Sequence, residues 1–177
     1  MAGCDAGADG MSAVSYREYR PEDFPVLKDM YAQLDEYLRG LTVKLPLPED
    51  VGQVWLDSFE RTLGKFSMLH IAEVDGEVVG FMLSRVLRVP PHYGGVLVGE
   101  LTDMYIDPQA RRMGIGHELS RLAINWLRDQ GVHSVESQSV DGNEGSWRLY
   151  EKMGFYLELR QVRMLMDDYQ DPGPPAD

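Results

Sequence analysis

In the stretch DPQARRMGIGHEL, residues 107–119, two arginines precede glycines at 114 and 116, where an apolar run gives way to helical spacing. A helix opens with four backbone N–H groups that lack an internal partner, and its dipole adds about half a positive charge there. Phosphate binds readily at such a terminus. Glycine at 114 and 116 removes the Cβ atoms that would hold a diphosphate away from those amides. Arg111 and Arg112 bring planar cations to the same anion. Arg111, Arg112, Met113, Gly114, Ile115, Gly116 and His117 together read as an anion cradle. Spacing removes the alternatives. A dinucleotide fingerprint needs a third glycine where Leu119 stands, and a P-loop needs a Gly-Lys-Ser/Thr ending that is absent. His117-Glu118 begins a zinc-protease motif, but Arg121 takes the place of its second histidine. His70, His92, His117 and His133 form no ligand pair, there is no Gly-x-Ser-x-Gly, and the lone Cys4 allows no thiolate metal site. No metal is expected.

The 177 residues, 44% hydrophobic and 10% aromatic, suffice for one domain with a substantial core. Half of the formal charge of −12 sits at the ends, on Asp5, Asp9, Asp167, Asp168, Asp171 and Asp177. A nucleic-acid surface would show clustered surplus Lys and Arg, so none is expected. An acidic body is compatible with a cationic small molecule, and equally with plain solubility. No apolar run approaches the roughly 18 residues of a membrane span, and the first residues lack the basic start and apolar stretch of a signal peptide. A cytoplasmic protein is expected.

These groups need a scaffold. Residues 1–12 and 168–177 are small, polar and Pro/Gly-rich and are expected to be disordered, leaving a single domain at 13–167. AVSYREYR reads as a strand. Phe24, Leu27, Met30, Leu34 and Leu38 then recur at helical spacing, and a second helix carries Val51, Trp55, Phe59 and Leu63 to a stop at Gly64. SMLHIAEV and EVVGFMLSRVL flank Asp75-Gly76, a strong hairpin signal. VLVGELTDMYI is a further strand, and a helix from Gly114 to Gln130 stops at Gly131. VHSVESQSV, a short helix at 146–152, and the strands FYLELR and VRMLM complete the order. The expected fold is an α/β sandwich: a mixed, mostly antiparallel sheet of about seven strands with helices on both faces.

TDMYIDPQARRMGIGHELSRLAINWL followed by NEGSWRLYEKMGF resembles the GNAT superfamily of acetyl-CoA-dependent N-acetyltransferases. The resemblance covers residues 66–166. It implies that Arg111 to His117 hold the CoA pyrophosphate and that Met104, Tyr105 and Ile106 pair through their backbone with the pantetheine. It also implies that Asn143 and Ser146 help to hold the cofactor, and that Tyr150 is the general acid meeting the departing thiolate. Family members most often carry glycine where this chain has Arg112, whose side chain is expected to add a cation rather than a clash. The family splays the strands at 96–107 and 132–139 to admit the cofactor.

The implied reaction is direct attack of an amine on acetyl-CoA, releasing coenzyme A without an acyl-enzyme. An amine of pKa about 10.4 is unprotonated in about one molecule in a thousand near neutrality, a handicap of about 4 kcal/mol. Glu100 is the expected base, through a water, with Asp103 placing substrate. Strict alternation puts the two on opposite faces, and the bulge usual in the family can re-aim one. The expected acceptor is a small cationic amine, such as a polyamine or aminoglycoside, or else a peptide amine. Residues 31–60 and 88–95 are expected to select it, and VRMLM to support a homodimer. The competing reading is a catalytically silent acyl-CoA sensor, which has no need of Tyr150 or a carboxylate at 100.

Overall fold

In the computed structural model, which describes residues 13–171 and 173, five strands and four α-helices follow one another. β1 (Val14–Glu18) leads to α1 (Phe24–Leu41) and α2 (Val51–Asp57). β2 (Ser67–Val74), β3 (Glu77–Arg88) and β4 (Leu97–Ile106) form a meander, and α3 (Ile115–Asp129), β5 (Ser134–Ser137) and α4 (Glu144–Lys152) complete the order. The sheet runs β1-β2-β3-β4-β5, antiparallel except for the parallel pair β4–β5, which α3 connects. Asp75 and Gly76 make the β2–β3 turn with left-handed φ values of 52° and 87°, the conformation that suits a two-residue hairpin.

The sheet buries both faces. On one side, Leu27 and Met30 of α1 with Trp55 and Leu56 of α2 pack on Leu69, Ile71, Phe81 and Leu83. On the other, Ile115, Leu119, Ala123 and Leu127 recur every four residues along α3 and close over Ala72, Met82 and Leu101. Each large side chain so buried contributes about 1.5–3 kcal/mol. The mixed, mostly antiparallel α/β architecture agrees with the sequence.

The strand count does not: five strands form, not about seven. VHSVESQSV yields only Ser134–Ser137, and FYLELR and VRMLM are not strands. A strand needs a partner, and residues 156–171 lie exposed along their whole length with none. The second helix ends at Asp57, short of Gly64, with a 3-10 turn at Glu60–Thr62. Residues 1–12, 172 and 174–177 lie outside the described residues, and with them the expected leader and half of the expected tail.

One core residue gives the fold a pH dependence. His70 on β2 is 7% exposed, its Nδ1 has no hydrogen-bond partner, and burial lowers its pKa to about 4. The unfolded chain takes up that proton near pH 6.5, the folded one only near 4, so the unfolded state binds more protons in between. Stability is therefore fully present above that window and falls by about 3 kcal/mol as pH drops through it. Urea unfolding of wild type and His70→Met at pH 7 and pH 4.5 is expected to show a markedly flatter pH response in the variant. Equal slopes would overturn the assignment.

Candidate active site

The chemistry is gathered where β4 loses its parallel neighbour β5. Leu101 and Ser137 are the last partners of the parallel β4–β5 ladder, while β4 continues to Ile106. The edge from Thr102 to Ile106 that faced β5 is left unpaired and lines a cleft of about 1230 Å³. This is the splay expected from the sequence, narrowed to a fork at residue 101.

On its other edge β4 carries a bulge. Leu83 pairs with Asp103 and Ser84 with Leu101, so Thr102 is the extra residue. Two-residue alternation is reset there, and Glu100 and Asp103 fall on the same face rather than on opposite ones. Glu100 pairs with Arg85, and Asp103 accepts a hydrogen bond from Trp55 Nε1 of α2 at 3.0 Å. Both carboxyls are held above their ordinary pKa chiefly by burial. For Glu100, Arg85 opposes the shift while Glu136 and Asp103 add to it; for Asp103, the Trp55 bond opposes it. Asp103 lines the cleft; Glu100 does not.

The cradle forms as the glycine spacing requires, with a division of labour that spacing does not show. Gly114 is the N-cap of α3 at φ 79°, and a Cβ built on it meets nothing within 4 Å, facing open cleft. The first helical bond runs from Glu118 N to Gly114 O, so the amides of Ile115, Gly116 and His117 have no helical acceptor. Gly116 serves packing as well: its Cβ would lie 3.1 Å from Ile106 Cδ1 and 3.5 Å from both Met104 Sδ and Leu149 Cδ2. Its glycine lets α3 lie close to β4. Arg111 Nε donates to the Ile106 carbonyl at 3.2 Å, tying the loop to the strand. Arg112 sits at φ 70°, a left-handed conformation that suits glycine. Met113 does not line the cleft.

The far wall is α4. Asn143 caps it, its Oδ1 accepting from Ser146 N at 3.3 Å, and both residues line the cleft. Tyr150 is 7% exposed, packs against Phe155 and turns its hydroxyl to Ser137 at 2.8 Å. Burial raises its pKa, against the hydrogen bond of Ser137. Charge is segregated along the cleft: Arg111, Arg112, Arg148 and Lys152 lie on the α3–α4 side, Glu36 and Asp103 on the α1–β4 side. Tyr105 keeps its backbone at the open edge while its hydroxyl donates to Gln33 of α1 at 2.7 Å. Residues from Gln33 to Leu41 line the α1 wall of the cleft and Trp55 supports Asp103, whereas residues 88–95 take no part in the lining. Among the described residues no group of three or more His, Cys, Asp or Glu is placed to hold a metal ion.

A mixed sheet split at a parallel pair, with an unpartnered helix N-terminus at the mouth of the split, makes an α/β domain built to receive a ligand with an anionic group. Residues 27–155 match the model of the acetyltransferase (GNAT) family, and the chain belongs to that family. It is 30% identical over 131 residues to the glucosamine 6-phosphate N-acetyltransferase of Trypanosoma brucei brucei, covering 73% of this chain and 84% of that protein. It is 33% identical over 106 residues to the mycothiol acetyltransferase of Thermomonospora curvata, covering 60% of this chain; the chain spans only 32% of that relative's length. A predicted acetyltransferase from Clostridium acetobutylicum, solved with acetyl-CoA, shares the fold at a TM-score of 0.70 and 18% identity, over 89% of this chain and 99% of that one.

Proposed function

We propose that residues 13–167 form a single N-acetyltransferase domain that moves an acetyl group from acetyl-CoA to a small cationic amine by direct attack. One observation carries the reading: a single cleft holds the free amides of α3, the open edge of β4, the buried phenol of Tyr150 and the buried carboxylate of Asp103. The residues present fit acetyl-CoA, since the Gly114 position leaves open the space a side chain would fill and the surrounding charge is basic. When bound, acetyl-CoA supplies the activated thioester.

The chain's own groups do the rest. The amides of Ile115, Gly116 and His117, with Arg111 and Arg112, bind the diphosphate. The backbone of Met104, Tyr105 and Ile106 takes the pantetheine amides, and an N–H there polarises the thioester carbonyl. The amide side chain of Asn143 reaches the pantetheine from the cap of α4. Asp103 receives the ammonium in the cleft. Glu100, on the same face across the bulge, takes its proton through a water, aided by a pKa that burial raises above the ordinary carboxylate value. Tyr150 gives a proton to the leaving sulfur. A silent binding module would have no use for Asp103 and Tyr150 in this arrangement.

The acidic acceptor side and the relative named for glucosamine 6-phosphate support an amine acceptor. Thiol release from acetyl-CoA, followed with spermidine, kanamycin, glucosamine 6-phosphate and an alanine-ended peptide, tests the assignment. Release above background with one of the cationic amines is expected. Failure of ordered protein to take up CoA or acetyl-CoA in calorimetry would overturn it.

The same reading places the enzyme in the cytoplasm; no helix among the described residues is long and apolar enough to cross a membrane. It also assigns a homodimer to the C-terminal segment, where Leu159, Val162 and Met164 are 83%, 93% and 61% exposed. Sedimentation is expected to give a dimer for wild type and a monomer for Val162→Asp/Met164→Asp. A monomeric wild type would overturn the dimer.

A further inference from the structure

The fork between β4 and β5 is held by one hydroxyl. Ser137, the last residue of β5, has its Oγ 2.8 Å from the Leu101 carbonyl oxygen and 2.8 Å from Tyr150 Oη. A carbonyl only accepts, and a serine carries one proton. While Ser137 donates to Leu101, Tyr150 must donate to Ser137, and its proton points away from the cleft. When Ser137 donates to Tyr150 instead, the phenol's own proton is free to face the cleft. Ser146 lies one turn earlier on α4, and Asp103 of β4 is the charged group whose field acts on the phenol. Phe155 covers the ring with its centroid 5.2 Å away.

We propose that Ser137 is a positioning residue for Tyr150: it pins the phenol at the fork, and its single proton turns from the Leu101 carbonyl to Tyr150 Oη as Tyr150 protonates the leaving sulfur. The proposal rests on the reading of Tyr150 as the acid. In that step an S–H bond forms and the Tyr150 O–H bond breaks, leaving the electron pair on the phenolate oxygen. The Ser137 O–H bond is redirected, not broken. The C–N bond forms as the C–S bond breaks; the attacking ammonium loses two protons through the carboxylates to water, one before attack and one as the amide forms, and the phenolate regains one from water after the product leaves. One amide, one thiol and one released proton are the sum. A buried phenolate without a donor is costly, and burial already disfavours it here; a hydroxyl aimed at Oη offsets part of that cost.

The experiment compares wild type, Ser137→Ala, Ser137→Thr and Tyr150→Phe. Carbon-13 NMR of ring-labelled tyrosine follows Tyr150, assigned by the signal lost in Tyr150→Phe. Ser137→Ala is expected to raise its titration midpoint by about one pH unit, and Ser137→Thr to restore it. With the best amine of the panel, Ser137→Ala is expected to lower kcat about thirtyfold at unchanged KM and to move the alkaline limb of the pH profile upward. CoA binding by calorimetry is expected to stay within about threefold, because no contact with the ligand is removed. In the Tyr150→Phe background the alanine change should add no further loss. An unmoved Tyr150 midpoint, or an additive loss in the double variant, would overturn the role of Ser137. An unchanged rate in Tyr150→Phe would instead sink the acid assignment, while the NMR midpoint still judges the Ser137 contact. Should the alanine form fail to fold, Ser137→Cys keeps a similar volume with a weaker donor and carries the same test.

Discussion

Tyr150→Phe is expected to bind CoA as tightly as wild type and to turn over about 10³-fold more slowly, the scale of a lost general acid. The substitution keeps the ring in its buried place beside Phe155 and removes only the hydroxyl. Ser137 retains the Leu101 carbonyl as acceptor, so no buried donor is orphaned and the fold should survive. An interaction made only in the transition state lowers kcat and kcat/KM equally, and that is the expected pattern. The wild-type pH profile should show both ends of the reaction. Glu100 must be ionised and burial raises its pKa, so the acid limb should lie above the ordinary carboxylate range. Tyr150 must be protonated and burial raises its pKa too, so the alkaline limb should lie above the usual phenol value. Thiol release with CoA calorimetry measures all of this. A loss smaller than about threefold, against the 10²–10⁴-fold that acid–base groups supply, would remove Tyr150 from the chemistry.

What could be read in the sequence was what local periodicity controls. Helical spacing places Leu119, Leu122, Ala123, Trp126 and Leu127 on one face of the cradle's helix, and of these the structure buries Leu119, Ala123 and Leu127 and adds Ile115. The Asp75-Gly76 turn needs only its two residues. Long-range pairing is different. The Thr102 bulge exists because β3 changes register between Leu83 and Ser84, and no residue of β4 announces it. Its consequence, Glu100 and Asp103 on one face, inverts what alternation predicts. Ser137 is one small polar residue in VHSVESQSV, and its importance comes from the end of a ladder formed with a strand 36 residues away. Trp55 was readable as core, but its bond to Asp103 depends on how α2 lies over the sheet. FYLELR and VRMLM have the composition of strands, yet composition does not supply the neighbouring edge that makes a strand.

The other large effect falls on the cradle. Gly114→Val is expected to weaken CoA binding at least about a hundredfold while leaving a folded protein. A Cβ at 114 meets no protein atom within 4 Å outside its chain neighbours, so packing leaves room for a side chain to start there. It does enter the cleft in front of the free amides of α3, where the diphosphate has to lie. At φ 79° a non-glycine residue also carries about 1–2 kcal/mol of left-handed strain. Gly114→Ala separates the two costs, since it brings most of the strain and little of the bulk. If alanine destroys binding as thoroughly as valine, strain and not occlusion governs the loop. Arg112 supplies the internal control. It already bears left-handed strain at φ 70°, where the family usually has glycine, and Arg112→Gly should stabilise the fold by about 0.5–1 kcal/mol. The lost cation should weaken CoA binding only a few-fold, and less at high salt, as expected for an exposed ion pair. Calorimetry with thermal melts of the three variants decides the matter. A Gly114→Val protein that folds and still binds CoA normally would take the diphosphate away from the start of α3, and the amides of Ile115, Gly116 and His117 would need another partner.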